Sequence, residues 1–111
     1  MRCPFCKNPH AMSITHRLEL PPDDRSDEVT LQLIRCSACK AEAGAIYEES
    51  RRGASESWHH FAFEMDPFSR LRILRLMEGC PDPGNKRCQC QAHLDLAGPA
   101  AYRLVTKQVP I

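Results

Sequence analysis

Aromatic side chains are scarce in this chain: one Trp, two Tyr and four Phe in 111 residues, or 6%. A small core with so few rings must draw stability from something besides ring burial. Neither sign of charge is in excess, since 15 Lys and Arg against 14 Asp and Glu leave a net charge of +1. That balance excludes a strongly electropositive coat of the kind that binds nucleic acid non-specifically. No apolar run approaches the ~18 residues that span a bilayer, so no membrane partner is expected. Met1-Arg2-Cys3-Pro4 opens directly on a motif, which predicts no secretory leader. Internal repeats and low-complexity tracts are absent. With 42% apolar and 26% charged residues, the composition fits one globular domain over residues 1–111.

Cysteine, in contrast, is abundant. Seven in 111 residues, an odd count, fall into two groups that use every one of them. Cys3, Cys6, Cys36 and Cys39 form CxxC…CxxC, while Cys80, Cys88 and Cys90 are followed by His93. An odd count, CxxC pairs and no leader argue against a disulfide framework and for reduced thiols in the cytoplasm. Reduced thiolates at such spacing bind zinc tetrahedrally, through four cysteines or through three cysteines and one histidine. Two Zn2+ are therefore expected. A rubredoxin-type iron is the rival at the first site and an iron–sulfur cluster at the second.

The pattern between the cysteines predicts how the first four meet. Met12, Ile14, Leu18 and Leu20 alternate, with His16 in the same phase, which reads as a half-buried strand. Pro21-Pro22-Asp23-Asp24 stops it. A second strand, with Val29, Leu31 and Leu33 on one face and Thr30 and Gln32 on the other, runs into Cys36-Ser37-Ala38-Cys39. An antiparallel hairpin returns the second CxxC to the first. A third strand is expected over about 44–49 and a fourth over about 57–65, the latter with Phe61 and Phe63 inward and Trp58 partly exposed or covering an edge.

Asp66-Pro67 then predicts a helix start and Gly79 its end. Leu71, Ile73, Leu74, Leu76 and Met77 cover an arc of about 220°, wider than one packing face. The width predicts contact on two sides, with the sheet on one and the C-terminal segment or another chain on the other. After a loop at Pro81-Asp82-Pro83-Gly84-Asn85, a final strand is expected over Ala101–Val109.

Cys3-Pro4-Phe5-Cys6 and Cys36-Ser37-Ala38-Cys39, with a hairpin between them, resemble the zinc-ribbon group over about residues 1–65. The opening Met1-Arg2-Cys3-Pro4-Phe5-Cys6 is also similar to the start of the bacterial ribonucleotide-reductase repressor family. That likeness implies DNA binding by the ribbon and nucleotide sensing by an ATP cone. The chain departs from that family in two places. Leu31-Gln32-Leu33-Ile34-Arg35 stands where the family has a run of arginines, and the second cysteine cluster occupies the place of the cone.

The remaining polar features compose a candidate interaction surface of Arg51, Arg52, Trp58, His60, Arg70, Arg72 and Arg75. Opposite charges in the connection around 23–28 and at Arg51–Arg52 should meet at the metal-distal end, worth at most ~1 kcal/mol per exposed pair. Residues 1–65 hold 8 basic and 10 acidic side chains and residues 66–111 hold 7 and 4, so the second half is mildly basic. No Ser/His/Asp set, phosphate loop or spaced carboxylate pair is present. The expected architecture is α+β: a zinc-ribbon-like antiparallel sheet of about four strands over 1–65, one helix over 66–79, and a second metal site with a C-terminal strand over 80–111. The expected function is a non-enzymatic adaptor or regulator that binds a protein partner or a second copy of itself. The alternative is a nucleic-acid-binding ribbon in transcription or RNA metabolism.

Overall fold

The computed structural model describes residues 1–22, 27–50, 56–97, 99–105 and 107–111. It is a small α+β fold built on an antiparallel meander of five strands in the order β1-β2-β3-β4-β5. These are β1 (Met12–Leu20), β2 (Glu28–Cys36), β3 (Glu42–Ser50), β4 (Ser57–Phe63) and β5 (Gln108–Pro110). Three helices follow β4 in the chain: α1 (Pro67–Glu78), α2 (Gln91–Leu96) and α3 (Pro99–Tyr102).

The strands form where β-branched and apolar residues alternate, and antiparallel register puts each alternation on a common face. Leu18, Leu31 and Ile46 stand in one cross-strand row, and Leu20 pairs with Val29. This face packs beneath Ile73 and Met77 of α1, Ala92 and Leu96 of α2, and Ala101 of α3. Burial of the whole set follows from one sheet face meeting three short helices. Gly44 lies opposite Phe63 in the β3–β4 ladder, and a methyl group there would overlap the Phe63 ring. The absent side chain is therefore the space the ring fills.

Among the described residues no helix packs on the other sheet face. It buries Met12, Ile34, Ala43, Ala45 and Ala62 beneath Met1, Val109 and Ile111, together with Thr30 and Gln32. The small alanines of β3 and β4 line this face, and Met1, Val109 and Ile111 pack against them.

Four expectations need correction. The sheet has five strands, since the C-terminal segment adds β5 to the β4 edge. The long strand expected over Ala101–Val109 is instead a helical turn at Pro99–Tyr102 followed by a three-residue strand. The alternation of Tyr102, Leu104 and Thr106 in the sequence mimics a strand, but Pro99 favours a helix start and Tyr102 is anchored through its hydroxyl to Glu48 (2.7 Å). The four-stranded, one-helix outline also omits α2, whose six residues are too short for a periodic signal. Finally, β1 does not keep one face. Its partner register slips between Ile14 and His16, so Met12 and Ile14 face away from Leu18 and Leu20. Thr15 is the extra residue of this β-bulge, and its hydroxyl donates to the Leu33 carbonyl at 3.2 Å.

Helix α1 begins and ends as its sequence requires. The Asp66 carboxylate accepts from the Ser69 N–H at 2.9 Å and from the Ser69 hydroxyl at 2.7 Å, and Pro67 occupies the first turn. These bonds, the Ser69 hydroxyl first, hold the Asp66 carboxyl below its usual range. Ile73 and Met77 are buried against the sheet, and Leu74 and Leu76 are partly buried against the same core. The wide arc is thus absorbed mostly within the chain, leaving Leu71 43% exposed and Phe68 87% exposed. No helix among the described residues is long and apolar enough to cross a membrane.

Candidate metal centres

Two groups of side chains could each hold a metal ion: Cys3, Cys6, Cys36 and Cys39, and Cys80, Cys88, Cys90 and His93. In each group the four ligand atoms lie within 4.8 Å of one another.

The first group is made by two matching turns. Cys3 precedes β1, Cys36 ends β2, and hairpin pairing from Met12–Cys36 to Leu20–Val29 brings the two turns side by side. In each turn the N–H of the residue after the second cysteine bonds back to the first: Lys7 to the Cys3 carbonyl and Lys40 to the Cys36 carbonyl, both at 3.0 Å. Closing that turn forces Lys7 and Lys40 into the left-handed region, at φ 67° and 65°. Each ammonium then returns to its own turn, Lys7 Nζ to the Pro4 carbonyl (2.9 Å) and Lys40 Nζ to the Ser37 carbonyl (2.7 Å). Backbone N–H groups point at the sulfurs: Phe5 and Cys6 at Cys3 Sγ, and Cys39 at Cys36 Sγ, each at 3.4 Å. Across the turns, Cys3 Sγ lies 3.7 Å from Cys39 Sγ, and Cys6 Sγ lies 3.7 Å from Cys36 Sγ. Tetrahedral zinc with Zn–S bonds of ~2.3 Å requires sulfur–sulfur edges of about 3.8 Å. The donor set fits such an ion. Cys3 and Cys36 are buried, whereas Cys6 and Cys39 reach the surface.

The second group is assembled by the loop after α1 and by α2. Gly79 caps α1 with its N–H on the Arg75 carbonyl, and Cys80 follows at once. The Asn85 carbonyl and side chain hold the N–H groups of Cys88 and Arg87 at 3.0 Å each, which turns Cys88 and Cys90 back toward Cys80. Cys80 Sγ lies 3.9 Å from Cys88 Sγ and 3.5 Å from His93 Nδ1, and Cys90 Sγ lies 3.1 Å from His93 Nδ1. His93 is 2% exposed, and its Nε2 lies 2.9 Å from the Glu19 carbonyl of β1. A carbonyl only accepts, so Nε2 carries the proton and Nδ1 is left with a lone pair facing the three sulfurs. Ligating histidines are commonly oriented in this way. Glu19 also donates its own N–H to the Pro83 carbonyl at 2.8 Å. Both backbone groups of one edge-strand residue are thus held by the segment that carries the second cluster.

Each cluster holds a thiol that ionises near neutrality. The Cys39 N–H outweighs burial and lowers Cys36 to about 6. Burial raises Cys90, but bonds from the His93 ring and backbone outweigh it and bring Cys90 to about 6 as well. Burial pushes Cys80 up to about 11. A thiol lowered in this way gives up its proton to a cation more readily than an ordinary cysteine does.

The candidate interaction residues do not converge. Arg51 and Arg52 lie outside the described residues, as do 23–26 of the acidic connection expected to face them. Trp58 is 67% exposed, on the same sheet face as His60. His60 Nε2 meets Gln32 Oε1 at 2.7 Å, its ring stands edge-on to Tyr47, and burial lowers its pKa. Arg70 Nη1 pairs with Glu42 Oε2 at 3.0 Å against the sheet. Arg72 Nη2 reaches Asp95 of α2 at 4.0 Å, and Arg75 is exposed. Three arginines on one helix therefore serve three directions. Sequence reasoning assigns nothing to Glu19, because its link to His93 spans 74 positions. It also passes over Lys7 and Lys40, whose shared place after the second cysteine is visible in the sequence.

No family model, curated protein or solved structure matches this chain.

Proposed function

We propose that this chain is a non-enzymatic interaction module of the cytoplasm, rigidified by two structural zinc ions and engaging a protein partner. The observation that carries the reading is ligand count: each cluster offers four protein donors within 4.8 Å, one full tetrahedral set. Such a set leaves no position for substrate or activated water, which is the difference between structural and catalytic zinc. Thiolate with imidazole at the second cluster favours zinc over a hard cation, and seven unpaired cysteines suit a reducing compartment. The paired turns of the first cluster support the zinc-ribbon likeness.

A protein partner is favoured over nucleic acid by two features. Phe68, Leu71 and Leu94 are large apolar side chains left exposed on otherwise packed helices. Arg70 and Arg72 are drawn into ion pairs with Glu42 and Asp95, so α1 offers no continuous basic stripe. The test is affinity capture from native lysate by the zinc-loaded chain, with protein and nucleic acid both identified. Capture of a stoichiometric protein is expected. Ser at one or more of Phe68, Leu71 and Leu94 should weaken it, while the Arg70, Arg72 and Arg75 triple Ala variant should retain it. Salt-sensitive capture of nucleic acid, lost in the arginine variant, would overturn the reading.

A further inference from the structure

We propose that a groove beside the second cluster docks an acidic segment of a partner protein, one that carries an apolar side chain among its carboxylates. The inference rests on the protein-binding reading above and names the surface and the chemistry of what it binds.

The groove encloses about 480 Å³ between three walls. Pro21, just past β1, is one wall. The loop carrying Lys86, Arg87 and Gln89 is the second, and Leu94 with Ala97 forms the third. Cys88 and His93 lie at its base. Among the described residues the lining contains two cations, three apolar residues and no carboxylate. Lys86 and Arg87 make no ion pair among the described residues. The Asn85 bonds that shape the metal loop also fix the backbone from which both cations project. Leu94 is 65% exposed, although its helix buries Ala92 and Leu96 on the opposite side. Glu19 stands on the other side of the loop, in a hollow that Lys86 and Arg87 also line.

Charge complementarity therefore selects an anion, and the apolar wall selects what the anion must carry. A phosphate backbone would use the cations but leave Pro21, Leu94 and Ala97 unsatisfied. The groove also lacks the aromatic platform on which single-stranded bases stack. An acidic peptide with a leucine-like residue satisfies both walls. The three walls meet only while Cys88, Cys90 and His93 converge and His93 holds the Glu19 carbonyl, so docking should require the second metal.

The test begins with a displayed library of random decapeptides selected against the zinc-loaded full chain. Enriched sequences should place Asp or Glu around Leu, Ile, Met or Phe. A synthetic decapeptide of the enriched sequence should then shift backbone amide resonances of Arg87, Gln89, Leu94 and Ala97. Arg87→Gln and Leu94→Ser should each weaken binding at least tenfold. Both positions are surface-facing, and zinc content checks that each variant remains folded. An Arg17→Gln variant, exposed on the sheet face away from the helices, should bind as the parent does. Enrichment of basic or uncharged peptides would contradict the inference, as would unchanged binding after Leu94→Ser or matching shifts with a single-stranded oligonucleotide. Shifts confined to Phe68 and Leu71 would also overturn the groove while leaving the protein-binding reading intact. That reading fails separately if native capture yields nucleic acid alone.

Discussion

Gly44 is the residue with the least room for change. Its cross-strand partner Phe63 is fully buried, and the Phe63 ring occupies the volume a Cβ would take. Substitution must push that ring out of a packed core, and overpacking of this kind costs about 1–3 kcal/mol. Gly44→Ala should therefore destabilise the metal-loaded protein by that amount, read from its urea midpoint, without changing metal content. An unchanged midpoint would mean the ring moves aside freely and that the β3–β4 register is looser than described. The lysines at the left-handed positions are a milder case. Lys7 and Lys40 adopt φ values that favour glycine, and each compensates with an ammonium bond to a carbonyl of its own turn.

Among the elements, β1 depends on both clusters. Its hairpin with β2 joins the turns of the first, and Glu19 near its far end is held by Pro83 and His93 of the second. Cys36→Ser should break the first set and loosen the β1–β2 hairpin throughout. Cys90→Ser should release residues after Gly79 and strip hydrogen-exchange protection from the Glu19 amide, while Leu31 and Leu33 in central β2 keep theirs. Uniform loss of protection in both variants would show one cooperative unit instead. Element signals in the sequence are uneven for identifiable reasons. The β2 alternation and the Asp66-Pro67 to Gly79 punctuation are legible because propensity, capping and burial agree there. The β1 face misleads because a bulge at Thr15 shifts the phase without any residue type that announces it. The extent of β5 is hidden because three residues pair with β4 only after the tertiary fold brings the chain end back. The eight candidate ligands are legible from spacing alone, but the Glu19 contact that orients His93 is not. It is a backbone carbonyl, and every residue has one.

At the scale of the whole molecule, the described helices pack on one face of the sheet, and Met1, Val109 and Ile111 near the chain ends pack against small side chains of the other. In a chain of 111 residues with seven aromatics, metal binding at the two clusters would add to stability, because ligand sets that exist only in the folded chain convert binding free energy into folding free energy. The central claim is that the two clusters are both metal sites and that the fold needs them. Native mass spectrometry of the purified chain, before and after a strong chelator and alongside far-ultraviolet circular dichroism, tests this most directly. Two zinc ions per chain are expected, with concurrent loss of metal and strand signal on chelation. A chain that keeps its circular dichroism and exchange protection with no metal bound would contradict it.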